Sequence, residues 1–283
     1  MIRSPRRAAL GLALLVLALG SDAQGQGSAH ALRFHGTGAG QQDRARIAID
    51  DNAPGPDASA PCDLGAGDFT VEFWLRGRLI DNATSGWGGG ESWGDDWIYG
   101  NVVVDRDIWA DNQQDWGISL AGGRVRFGTG RAPAGADSPN TIEGETLLLD
   151  DAWHHVACVR DAATGLKSIV VDGLLDWQSS PGASTDDISY PNGGVANPVT
   201  PWGPYIVLGA EKHDAGAGFP SFNGYLDELR LWTRALAPAE LAAIADRVID
   251  PASAGLVGYY RFEEGAGTAI ADASAAGSPT APS

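Results

Sequence analysis

Polar and apolar positions alternate with a period of two through most of this chain. In Phe69-Thr-Val-Glu-Phe-Trp-Leu-Arg76, the residues Phe69, Val71, Phe73 and Leu75 fall on one face, the pattern of a strand with one side buried. Trp116–Leu120 and Arg124–Phe127 flank Ala121-Gly122-Gly123 and predict a tight hairpin. Trp153–Arg160 and Lys167–Val171 flank a turn at Thr164-Gly165, and Asp172-Gly173, a strong hairpin dipeptide, follows at once. Tyr205–Leu208 and Gly224–Trp232 predict two further strands. In the second, Leu226, Leu229 and Leu231 share a face only if a bulge near Asp227-Glu228 shifts the register.

Helical spacing occurs once, where Leu241, Ile244 and Val248 follow Pro238 and precede Pro251. Many short strands with glycine-rich turns and one late helix predict an all-β fold, a two-sheet sandwich over residues 24–270. Ser179–Pro204 is rich in turn residues and is expected to be loop, and residues 271–283 have the composition of a disordered tail. At the start, Arg3, Arg6 and Arg7 precede the apolar run Ala8–Leu19 and the small-residue site Ser21-Asp22-Ala23. This reads as a signal peptide over residues 1–23, cleaved near Ala23, and too short for a membrane span. The protein is therefore expected outside the cell, in a periplasm or on a surface, with no membrane-spanning segment.

The formal charge of −17, with two lysines (Lys167 and Lys212) in the whole chain, argues against nucleic acid as a partner. Many oxygen ligands in an exported protein suit calcium, although most such carboxylates serve solubility. Cys62 and Cys158 lie in a compartment where a disulfide survives, and a bridge closing so long a loop would contribute about 4 kcal/mol.

Ala31–Gly36, Gly67–Trp74, Trp153–Ala157, Val171–Gly173 and Phe222–Trp232 together resemble the laminin G-like, concanavalin A-type jelly rolls. Thr233–Leu241 is similar to that family's closing strand-to-helix junction. The resemblance runs from Ala31 to Arg247 and implies an antiparallel jelly-roll sandwich. It does not imply one ligand, because the family includes lectins, adhesion modules, domains appended to enzymes and glycoside hydrolases. Gly255–Gly267 looks like the segment that ordinarily opens such a module. Val257–Phe262 is therefore expected to return to a vacant sheet edge, as in a circular permutation; the alternative is the stub of a second module.

Val207–Asp214 also resembles the pentraxin strand and loop that supply acidic calcium ligands, and Asn112–Asp115 lies where those proteins supply an Asp-Asn pair. The resemblance implies Asn112, Asp115, Glu211 and Asp214 as calcium ligands, with carbonyls and water completing the shell. Lys212 and His213 depart from the pattern, because a cation weakens such a site. Asp105, Asp107 and Asp111 form a second, looser acidic cluster. His154 and His155 point to opposite faces of a strand and are expected to be structural.

The run Ala83–Gly100, ATSGWGGGESWGDDWIYG, is an insertion relative to related modules. Trp97 is expected to begin a strand and pack inside. Trp87 and Trp93 belong to no strand. They offer a sugar platform with Asp95, Asp96, Glu91 or Asn82 accepting hydroxyls, a protein anchor, or a cluster folded down on itself. Asn82-Ala83-Thr84 is formally a glycosylation sequon. No Glu-x-Asp-x-x-Glu run or Gly-x-Ser-x-Gly elbow occurs. The expected protein is a non-enzymatic module binding extracellular glycan or glycoprotein, with carbohydrate contacts at Trp87, Trp93, Asp95 and Asp96. A protein adhesion or scaffold domain and a jelly-roll glycoside hydrolase or lyase are the alternatives.

Overall fold

The computed structural model describes residues 29–38, 43–49, 61–92, 96–108, 114–130, 140–190 and 204–276. In chain order the strands are β1 (Leu32–His35), β2 (Ala45–Ala48), β3 (Phe69–Arg78), β4 (Gly90–Ser92), β5 (Asn101–Arg106), β6 (Trp116–Ala121) and β7 (Arg124–Thr129). They continue as β8 (Thr141–Glu143), β9 (Asp150–Asp161), β10 (Leu166–Val171), β11 (Leu174–Gln178), β12 (Tyr205–Leu208) and β13 (Asn223–Trp232). Helix α1 (Pro238–Ile244) and β14 (Leu256–Tyr260) close the fold.

Two antiparallel sheets face one another. The first runs β1-β13-β3-β9-β10-β11 with β14 also on β13, and the second runs β2-β12-β5-β6-β7-β8-β4. Phe69, Val71, Phe73 and Leu75 enter the shared core, as their alternation requires, and meet Trp116, Ile118 and Phe127 from the second sheet. The β10–β11 hairpin turns on Asp172 and Gly173, both at positive φ (50° and 75°). A register shift falls between Asp227 and Arg230, with Glu228 at φ 49°, so Leu226, Leu229 and Leu231 all reach the core.

The outer face of the first sheet carries a smaller core in which Trp232, Leu241 and Tyr259 pack around α1. Pro238 opens that helix, and Glu240 accepts the N–H of Ala237 at 3.1 Å. The helix is shorter than its hydrophobic spacing suggests: it ends at Ile244, and Val248 lies exposed. Beneath it, Glu72, His155, Arg230 and the indole N–H of Trp232 form a buried network, with His155 2.8 Å from Glu72. His154 points the other way, to Asp172 and Asp150.

β14 does return to an edge. β1 pairs with Asn223–Leu226 and β14 with Leu229–Trp232, so the two share one side of β13 on either side of its bulge. The chain stays attached beyond β14, since Asp272 bridges Tyr260 and the Ala273 N–H reaches Tyr259 O at 2.7 Å. Structure thus extends past the expected boundary at residue 270. Cys62 and Cys158 are separate buried thiols rather than a bridge: Cys62 Sγ reaches Val257 O at 3.0 Å, and Cys158 packs in the core from β9.

Candidate functional site

The inserted loop lies back on the outer face of the second sheet. Trp97 starts no strand. It sits in a 3₁₀ turn, Asp96–Tyr99, and its indole covers Gly117 of β6 and Gly128 of β7, where a Cβ would meet the ring at 2.1 and 1.8 Å. Trp87 is held differently. The N–H groups of Trp87, Gly88 and Gly89 converge on Glu143 Oε1 at 2.9, 2.6 and 3.2 Å. Gly88 and Gly89 reach this geometry at φ 91° and 100°, where a side chain would be strained. Arg126 donates Nε to Glu143 Oε2 at 2.8 Å, and its guanidinium lies 3.8 Å from the Trp87 ring centroid. Arg126 also reaches the carbonyls of Asp96 and Ser85, tying both arms of the loop. Trp87 remains 39% exposed, a ring backed by a cation and open to solvent.

The other expected sugar contacts that are described already have partners within the chain. Asp96 accepts the hydroxyl of Ser92, and Glu91 accepts the N–H of Ser180 at 2.5 Å. Asn82 is buried, its amide spent on Arg78 O, Asn223 O and the Asn223 N–H, so it is neither a hydroxyl acceptor nor an accessible sequon. Trp93 and Asp95 lie outside the described residues. Arg126 and Glu143, which hold the loop, are opposite one another across β7 and β8 and face outward. Each is a charge at a polar position of a strand, indistinguishable by sequence from a solvated residue.

A second surface was also missed. The strand register sets Arg33, Tyr225, Arg76 and Trp153 in one row across β1, β13, β3 and β9. Arg33 lies over the Tyr225 ring at 4.9 Å, and Trp153 and Tyr225 are 6.2 Å apart between centroids. Arg33, Tyr225 and Arg76 of this row, with Arg78, Asp81 and Asp151, border a polar cleft of about 290 Å³.

The acidic residues meet where the end of β5 faces the loop after β12. Asp105 accepts the N–H groups of Asp107 and Lys212, both at 2.6 Å, and Asp115 accepts that of Ile108 at 2.6 Å. Glu211 accepts the N–H groups of His213 and Asp214. His213 Nδ1 sits 2.6 Å from Asp107 Oδ2 and 3.4 Å from Glu211 Oε1. Burial, then the charges of Asp107 and Glu211, hold Asp105 well above the usual carboxylate range. Burial and Asp107 do the same to Asp115. Burial opposes ionisation of Asp107 too, but its hydrogen bond and charge interaction with His213 hold it low. Burial brings Lys212 down to about 8; it also works against His213, which Asp107 and Glu211 nevertheless push up to about 9.

Of the four residues implied as calcium ligands, Glu211 and Asp115 join this cluster. Asp214 points to solvent and gives it only a main-chain N–H, and Asn112 lies outside the described residues. Asp105 and Asp107, from the cluster that looked looser, stand in their stead. Among the described residues the set does not fit calcium, which takes six to eight oxygens. A buried ammonium is held at Asp107 O and an imidazole nitrogen lies between Asp107 and Glu211, and neither is a calcium ligand.

A protein-family model described as the concanavalin A-like lectin/glucanases superfamily matches residues 49–242. Human Pentraxin-4 is 33% identical over 102 residues, which are 35% of this chain and 19% of that protein. Human Adhesion G protein-coupled receptor D2 is 32% identical over 120 residues, 41% of this chain and 11% of that receptor. The chain thus spans less than a fifth of either relative. Among solved structures, a "putative carbohydrate binding protein" from Bacteroides ovatus superposes with a TM-score of 0.53 at 18% identity, covering 86% of this chain and 54% of that one. That likeness is one of fold. Two facing antiparallel sheets with the expected register, and a family match across more than half of the chain, place this protein in the concanavalin A-like lectin/glucanases superfamily.

Proposed function

We propose that the chain is an exported, non-catalytic module that binds extracellular carbohydrate or glycoprotein, and that Trp87 is its principal contact. The observation that carries this reading is the mounting of Trp87. Three consecutive loop N–H groups are pinned on Glu143, and Arg126 backs the ring, so an exposed indole is fixed before any ligand arrives. Pre-ordering of this kind lowers the entropy lost on binding. The carbohydrate binding named for the Bacteroides ovatus structure belongs to that protein and is consistent with this reading. No helix among the described residues is long and apolar enough to cross a membrane.

The test is a broad glycan array probed with the natural chain and with Trp87→Ala. Binding that falls at least about tenfold in the variant, without loss of thermal stability, supports the reading. Binding indifferent to Trp87 moves the contact elsewhere, and Tyr225→Ala then tests the row beside the polar cleft.

A protein partner is the second reading, and a different observation favours it. Leu174 and Leu175 lie 74% and 51% exposed on β11, an edge strand of the first sheet. An apolar open edge invites pairing with another chain. Absence of glycan binding, with a partner lost on Leu174→Lys, would select it.

A further inference from the structure

Where the end of β5 faces the loop after β12, a lysine of the chain lies buried beside the carboxylates. Lys212 is 1% exposed, its Nζ lies 2.8 Å from Asp107 O, and the ammonium stands 5.3 Å from the Tyr190 ring centroid. Its own main-chain N–H is held by Asp105. His213 Nδ1 lies between two carboxylates, 2.6 Å from Asp107 Oδ2 and 3.4 Å from Glu211 Oε1, where an ion bridging that pair would sit. The ligating atoms of Asp107, Glu211 and His213 all fall within 4.8 Å of one another.

We infer that the Lys212 ammonium, with His213 beside it, serves as the resident cation of this cluster, so the fold needs no divalent ion and a metal site is uncovered only when the Lys212 charge is removed. Three features carry this. Both oxygens of Asp105 and both of Glu211 accept main-chain N–H groups, so these carboxylates are already satisfied by donors of the chain itself. A buried carboxylate cluster must be offset by nearby positive charge. That charge is at hand: Arg44 also reaches this loop, at Lys212 O (3.0 Å), and Arg106 runs from the end of β5 to the carbonyls of Gln114 and Ile188. An added divalent ion would meet the fixed positive charge of an ammonium tethered beside it, at Asp107 O. Loss of its charge would leave carboxylates, carbonyls and an imidazole facing one another, a mixed oxygen and nitrogen set that manganese or zinc accepts more readily than calcium.

The experiment uses the full chain with calcium, manganese and zinc, each against EDTA. For the natural protein, thermal unfolding is expected at one temperature in all four buffers, and titration calorimetry is expected to show no one-to-one uptake. For Lys212→Met, which keeps length and removes charge, manganese or zinc is expected to raise the unfolding temperature and to bind at least about tenfold more tightly than to the natural chain. A natural chain stabilised by any of these ions and weakened by EDTA overturns the inference. A folded Lys212→Met that takes up none of them also overturns it. Should that variant not fold, Lys212→Arg keeps a cation and is expected to remain insensitive to all three ions. Stabilisation of the arginine variant by an ion counts against the inference.

Discussion

The indole of Trp97 lies on the bare Cα of Gly128, so close that a methyl group there would stand 1.8 Å from Cδ1 of the ring. Gly128→Ala should therefore displace the ring and destabilise the protein by about 1–3 kcal/mol, the usual cost of overpacking. Urea unfolding followed by tryptophan fluorescence gives the value. An unchanged midpoint would mean that the loop does not rest on β7.

The Arg126–Glu143 pair is buried, with side chains 6% and 0% exposed. Glu143→Ala strips three loop N–H groups of their acceptor and leaves the guanidinium unpartnered by a carboxylate, at a cost of about 3–5 kcal/mol. Glu143→Gln keeps one acceptor oxygen and should cost less. Hydrogen exchange at Trp87, Gly88 and Gly89 is the sharper reading, because those amides lose protection first if the carboxylate is their anchor.

His154 makes stability depend on pH. Its Nδ1 lies 2.8 Å from Asp172 Oδ2 and its Nε2 3.2 Å from Asp150 Oδ1. The Asp172 hydrogen bond raises the imidazole above its ordinary 6.5 despite burial. Asp172 and Asp150 are held below 3.8, the pull of His154 and of nearby main-chain N–H groups overcoming burial. A raised imidazole contributes fully below 6.5 and loses its contribution as pH rises through its folded value; lowered carboxylates contribute above 3.8 and lose theirs on acidification. His154→Gln should therefore lower the unfolding temperature most near pH 5 and least near pH 8. Equal loss at both would assign His154 to packing alone.

Cys62 and Cys158 should remain unmodified by a thiol reagent until the protein unfolds, since both are buried and burial raises the Cys158 thiol well above its ordinary value. Denaturation without reductant should then release two titratable thiols. Finding none would mean a disulfide, and a rearranged core between β9 and β14.

Much of the sandwich was written in alternation: the inward face of β3, the β6–β7 and β10–β11 hairpins and the bulge in β13 follow from spacing and turn residues alone. The pairing of β14 with β13 came from resemblance rather than from pattern. Long-range choices were not legible. Nothing local distinguishes Arg126 and Glu143 from solvated charges, because their roles depend on a loop 30 to 41 residues earlier in the case of Arg126. Trp97 misled for a related reason. Its strand-like neighbours suggested an inward ring, whereas the space it fills is created by glycines on two other strands. At the acidic cluster, the pentraxin resemblance named Glu211 and Asp115 as calcium ligands, but no local signal says that Lys212 turns inward, since lysine at a loop position ordinarily faces water.

The shared edge of β13 also sets an order of events. Arg33 meets Gly224 across 191 residues of chain, so among the described strands β1 has no partner until β13 has been made. β14, by contrast, joins a strand that ends only some two dozen residues before it. Closing the first sheet must therefore wait for β13, and a chain with so many distant pairings is expected to fold slowly and as one unit. During synthesis, the long-lived hazard is an early strand left waiting with one edge unpaired.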